Sequence, residues 1–160
     1  MSTATKNLGA ERGIISCLVK YPEDFFLIDD AISTSDFFNE ANALTFGLLR
    51  NIIVEQSIKT IDKMLLISEA NKLGLKDYFR ATNNYENLDN YFNSSIRREN
   101  VREFALRIKE CSIRRDLAQK LDASKHIIEN GSGKGLVDDL AEAESTIFNY
   151  VQTINSNNEI

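Results

Sequence analysis

The sequence predicts an all-α protein: a small globular helical bundle followed by a long, protruding antiparallel helical hairpin. Three observations carry that expectation. Residues 96 to 130 form a stretch with neither proline nor glycine. The chain as a whole, 160 residues, holds one proline and seven glycines, too few for the dense turns of a sandwich or barrel. Apolar residues recur three and four apart both through that stretch and through the segment after it.

The elements follow in order. Ala10 to Tyr21 carries Ile14, Ile15, Leu18 and Val19 on one side and stops at Pro22, an amphipathic helix ended by proline. Glu23 to Ile32 holds Phe25, Phe26, Ile28 and Ile32 and reads as a second short helix, after which Ser33, Ser35 or Asp36 offers a cap ahead of Phe37 and Phe38. Glu40 to Glu55 repeats Leu44, Leu48, Leu49, Ile52 and Ile53, a wide buried face that belongs at the centre of the core. Thr60, Ile61 and Asp62 open a helix running through Met64, Leu65, Ile67, Ala70 and Leu73, with Gly74 as its C-terminal cap. Leu75 to Ala81 is a short helix, Thr82 to Asn84 a turn, and Leu88, Tyr91 and Phe92 mark one more short helix.

The long stretch then places Val101, Phe104, Ile108, Cys111, Ala118, Leu121 and Ile128 along a packing seam, with Arg115 and Lys125 filling two of its slots. At about 1.5 Å per residue one uninterrupted helix would run roughly 50 Å, longer than a body of this size is wide, so part of it must project. Gly131 to Gly135 breaks the pattern, with Gly131 in the left-handed conformation. Leu136, Leu140, Ala143, Ile147, Val151 and Ile154 repeat the spacing on the way back, which makes a helical hairpin. The expected boundaries are a globular head over 1–95, a hairpin over 96–154 and the start of a linker or frayed tail over 155–160.

Composition narrows the function classes. With 42% hydrophobic residues the chain can bury a core without metal or disulfide. Cys17 and Cys111 lie on apolar faces and read as buried free thiols of a reducing cytoplasm. The N-terminus has no signal-peptide pattern and no window matches a membrane span, so the expectation is a cytoplasmic protein without membrane contact. A net charge of -5 argues against a general nucleic-acid surface. Charge is uneven, however: Arg97, Arg98, Arg102, Arg107, Lys109, Arg114 and Arg115 load the first half of the long helix, and Asp138, Asp139, Glu142 and Glu144 the start of the return helix. A solvated helix with charged i to i+4 neighbours is the simplest account; contact with an acidic partner or with nucleic acid is the alternative.

Catalytic chemistry is absent from the pattern. GSGKG resembles a phosphate cradle, but a Walker loop needs glycine where the chain has Ile128 and Ser or Thr where it has Gly135. His126, the single histidine, has no acid or cysteine partner at ligand spacing. Asp29–Asp30 and Asp138–Asp139 are adjacent pairs that diverge on a helix rather than converge in a pocket. No catalytic, cofactor-binding or metal-ligating residue is assigned.

In order and spacing, these segments resemble the N-terminal domain of DnaB-type hexameric replicative DNA helicases over nearly the whole chain. Ala10, Glu11, Gly13 to Leu18 and Pro22 resemble the family's opening Ala-Glu, apolar helix and Asp-Pro-Glu ending. Phe37, Phe38 and Phe46 resemble its Phe-Tyr and Ile-Phe signature. Thr60, Ile61 and Asp62 with Gly74 resemble its Pro-Ile-Asp, helix and Gly. Glu99, Asn100, Glu103, Phe104, Ile108 and Arg115 resemble the run that opens its long helix. Asn42 stands where the family has histidine, Thr60 replaces proline, and RATNNYENLDN replaces a Gly-Gly, departures that imply a divergent member of the kind phages encode.

The resemblance implies a non-enzymatic collar. Heads and hairpins would pair as dimers, three dimers would close a ring, and the ring would dock primase or a helicase loader. ATP, Mg and DNA would be handled by a motor domain outside these residues, which drives 5' to 3' unwinding in a bacterial cytoplasm. The hairpin's chemistry agrees with pairing, because Leu106, Ile113 and Leu117 leave apolar surface beyond the first seam. The interface expected is Ile113, Leu117, Leu121, Ile128, Leu140, Ile147, Phe148 and Val151, rimmed by Arg97, Arg98, Arg102, Arg114 and Arg115. Two other readings share the same elements: the helicase-binding C-terminal domain of a primase, and a helical nucleic-acid-binding protein.

Overall fold

A computed structural model describes the backbone of residues 4–81 and 84–158, and the side chains of that range except 81, 84–87, 157 and 158. The elements formed by the described residues are all helical, with no strand among them. The turn expected at Thr82 to Asn84 falls largely outside them.

Helix α1 spans Leu8–Lys20, and the Asn7 side chain caps it by accepting the Ala10 N–H. Pro22 does end α1, but in place of a second α-helix the chain makes a short 3₁₀ turn, Pro22–Leu27. Phe25 is the reason: its ring is buried while Phe26 and Leu27 beside it stay exposed, so the segment offers one anchor instead of a continuous face. Ser33 and Asp36 form a reciprocal capping box around a single 3₁₀ turn, Thr34–Asp36.

Helix α2, Glu40–Arg50, is capped by Asn39 and runs on into one π-turn, Asn51–Glu55. The wider turn brings both Ile52 and Ile53 into the core. Asp62 caps α3, Lys63–Lys72, by accepting the Leu65 N–H, and Gly74 follows it with φ of 75°. Helices α4, Lys76–Ala81, and α5, Asn84–Asn93, lead to a 3₁₀ turn, Arg98–Asn100, and then to α6, Val101–Asn130. The long helix therefore starts at Val101, and Ile96 and Arg97 lie outside it. Helix α7 spans Leu136–Asn158, so Asn155 to Asn158 are helical where the expectation is the start of a linker or a frayed tail.

Contacts divide the chain into two units, Met1–Ser112 and Ile113–Ile160, with the division inside α6. The sequence draws its boundary at 95/96, but Val101, Ala105, Ile108 and Cys111 are buried in the first unit. The first three turns of α6 therefore belong to the head. Its core is built on Ile14, Ile15, Leu18, Phe46, Leu49, Ile52, Leu66 and Ile108, all fully buried. Phe46 packs against Phe37 at 4.8 Å and Phe25 at 5.7 Å between ring centroids. Cys17 and Cys111 are buried free thiols.

Candidate interaction surface

Three of the buried carboxylates of the head, Glu11, Asp24 and Asp36, organise much of its polar chemistry. Glu11, 1% exposed, accepts the Phe38 N–H at 2.8 Å, the Asn39 N–H at 3.2 Å and an Asn42 side-chain N–H at 3.1 Å. The Tyr91 hydroxyl in turn donates to Asn42 Oδ1 at 2.9 Å, so Asn42 is both donor and acceptor. Burial pushes the Tyr91 hydroxyl up to about 12.

Asp24 receives a cation from the 3₁₀ turn ahead of α6, and Asp36 one from the third turn of α6. Arg98 donates to Asp24 through Nη2 at 2.7 Å and Nε at 3.2 Å, and to Glu23 at 3.0 Å, while its guanidinium lies 4.2 Å from the Tyr21 ring centroid. Asp24 also accepts the Cys17 thiol at 3.6 Å. Burial first and Asp24 second push that thiol up to about 12. Asp36 accepts Lys109 Nζ at 3.2 Å and the Ser112 hydroxyl at 2.7 Å. Arg102 donates to the Leu27 carbonyl at 2.7 Å and faces Asp30 at 3.6 Å. Arg107 pairs along its own helix with Glu103. Of the arginine cluster, then, Arg98 and Arg102 are engaged within the head, Arg97 and Arg114 are exposed and Arg115 is half-buried.

An open polar cavity of about 730 Å³ lies on the head, lined by Arg12, Asn39, Asn42, Tyr78, Asn90 and Ser94 among others. Among the described residues no group of three His, Cys, Asp or Glu is placed to hold a metal, and no helix is long and apolar enough to cross a membrane.

The second unit is the hairpin. Its turn carries Gly131, Gly133 and Gly135 at φ of 72°, 88° and 108°, and Ser132 closes it by donating its hydroxyl to the buried Asp139 at 2.5 Å. The helices meet along a seam of half-buried Ile113, Leu117, Lys120 and Ile127 with buried Ser124 on α6, and half-buried Ala143, Thr146, Ile147, Tyr150 and Ile154 with buried Asp139 on α7. Ser124 donates to the Ala143 carbonyl at 3.0 Å, Tyr150 donates to Asp116 at 3.2 Å, and Lys120 sits over the Tyr150 ring. His126 is exposed and bonds Asn130 one turn on.

The expected interface residues divide accordingly. Ile113, Leu117 and Ile147 lie in the seam, whereas Leu121, Ile128, Leu140, Phe148 and Val151 are between 36% and 58% exposed. Each exposed one stands one position after a seam residue, as Leu121 follows Lys120 and Phe148 follows Ile147. One residue is about 100° of helix rotation. Because α6 and α7 run in opposite directions, that same step turns both stripes toward the same side of the hairpin. The positions one residue before the seam, Asp116, Gln119, His126, Asp138, Glu142 and Asn149, face the other side. The hairpin thus has one polar face and one uncovered apolar face.

With that geometry in hand, comparisons with known proteins bear on both units. The family model described as DnaB-like helicase N terminal domain matches residues 3–110. Among solved structures, the crystal structure of the N-terminal domain of DnaB helicase from Mycobacterium tuberculosis is similar with a TM-score of 0.76 and 14% sequence identity, covering 92% of this chain and 99% of that one. That coverage exceeds what residues 1–112 alone could supply, so the likeness in fold extends into the hairpin. No curated protein matches the sequence.

Proposed function

The chain belongs to the family of DnaB-like helicase N-terminal domains, and from that membership we propose that it is the collar of a replicative helicase. In this reading it associates with its own copies through the hairpin, contributes pairs to a ring and offers that ring to primase or a loader. ATP-driven unwinding falls to a motor outside these residues. The observation that carries the reading is the uncovered face of Leu121, Ile128, Leu140, Phe148 and Val151. Two copies of such a face would remove ten large side chains from water, on the order of 10 kcal/mol before association and ordering costs. That is enough for an isologous dimer.

The test is sedimentation equilibrium of the chain with and without Leu121→Asp or Ile128→Asp. A dimer is expected for the wild type and a monomer with unchanged head fluorescence and near-native helicity for either variant, since an aspartate on this face puts two uncompensated charges into the contact. A wild-type chain that stays monomeric at high micromolar concentration overturns the reading.

A further inference from the structure

The apolar face of the hairpin is interrupted by two charges of opposite sign. Lys125 occupies the α6 stripe between Leu121 and Ile128, and Glu144 the α7 stripe between Leu140 and Phe148. Resting on the self-association reading above, we propose that these two side chains fix the register of the pairing: each Lys125 meets the partner copy's Glu144, so that α6 of one copy lies on α7 of the other and the two hairpins point the same way.

The internal contacts of the hairpin set the heights. Ser124 is level with Ala143, and Asp116 with Tyr150. Counting from these, the face is a ladder of four rungs: Ile128 with Leu140, Lys125 with Glu144, Leu121 with Phe148 and Ala118 with Val151. Within each rung the partners lie one to three residues from level, at most about 4.5 Å of axial rise.

With the helices of the two copies aligned, a two-fold axis can appose two such faces in two ways. With the axis along the helices, every rung meets its own image with α6 opposite α7. Lysine then faces glutamate twice over, Leu121 faces Phe148 and Ile128 faces Leu140. With the axis across the helices, α6 lies on α6. Centred on the charged rung, that arrangement sets lysine against lysine and glutamate against glutamate; centred elsewhere, it drives both charges onto apolar rungs. Like charges in contact and buried charges without partners both oppose association. The first arrangement alone satisfies all four rungs. Lys125 is free to make the exchange, because its present partner Glu129 is one turn away at 3.7 Å with both side chains mostly exposed, a pair of little weight.

The experiment measures dimer dissociation constants for Lys125→Glu, Glu144→Lys and mixtures, using fluorescently labelled full chains. Each variant alone is expected to dimerise roughly tenfold more weakly or worse. Their equimolar mixture recovers the wild-type constant as a heterodimer, and Lys125→Glu binds wild type more weakly than wild type binds itself. A mixture no tighter than its components overturns the reciprocal pair and leaves the charges paired within each hairpin. Tighter binding of Lys125→Glu to wild type than of wild type to itself overturns the orientation. A monomeric wild type removes the underlying self-association as well, and so is distinguishable from either failure of the pairing.

Discussion

Cys17 and Asp24 show what a single residue contributes to the head. That Cys17 is buried follows from its place on the apolar side of Ala10 to Tyr21. Burial first, and the Asp24 carboxylate second, push its thiol up from 9.0 to about 12. A folded-state value above the unfolded one means that the neutral thiol stabilises the fold fully below about pH 9 and progressively less as pH rises toward 12. The expected outcome is a wild-type advantage over Cys17→Ala that is largest at pH 7.5 and narrows by pH 10.5, read from urea midpoints at the two values. Asp24 itself was not legible, since its neighbours Phe25 and Phe26 make the segment read as a helix and its partner Arg98 is 74 residues away. Periodicity reports which face of an element is apolar, but it carries no information about an ion pair closed across the core. The same holds for Asp36 with Lys109 and Ser112. Glu11 is different: Ala10-Glu11 and Phe37-Phe38 stand out in the sequence as separate motifs, and the hydrogen bonds from Phe38 and Asn39 to Glu11 are why the two belong together.

At the scale of elements, helix existence was legible wherever caps and spacing agreed, as in α1, α2, α3 and the turn at Gly131. The misses fall where a local rule was overridden by packing. Pro22–Leu27 tightens into a 3₁₀ turn to bury one phenylalanine, and α2 widens into a π-turn to bury two consecutive isoleucines. On the hairpin the two apolar stripes are interleaved one residue apart, so hydrophobicity alone merged them into one interface. The intramolecular seam is partly polar, using Ser124, Asp139 and the Lys120 stem, residues that a search for apolar spacing passes over. Helix packing within the head also depends on a missing side chain. A Cβ at Gly13 would stand 3.0 Å from Phe104 Cε2 and 3.1 Å from Cδ2, so α1 and α6 approach over a glycine with no room to spare. Gly13→Ala should cost about 1–3 kcal/mol through overpacking, seen as a lower urea midpoint at unchanged slope. Phe104→Leu in the Gly13→Ala background should recover part of the loss, whereas a loss caused only by helix propensity would have the opposite sign, since alanine favours the helix.

At the scale of the whole molecule, the two units differ in kind. Residues 1–112 enclose a core of side chains with essentially no exposure, while 113–160 hold a single seam whose apolar members are half-buried, and Leu136 and Val137 near the turn are largely exposed. A two-helix hairpin offers each helix one neighbour, and its stability therefore leans on whatever covers its second face. If that cover is a second copy, the hairpin's unfolding is linked to protein concentration and the head's is not. Circular dichroism melts at protein concentrations a hundredfold apart should then separate. The helical signal lost by the hairpin shifts upward by several degrees at the higher concentration, as mass action requires for a transition that releases subunits. The near-ultraviolet signal of Tyr21 and Tyr91 in the head stays where it was. Leu121→Asp should abolish the shift and lower the hairpin's transition to its concentration-independent limit. A hairpin transition that ignores concentration in the wild type would mean that the apolar face is left to water in solution, and with it the reason for its being apolar.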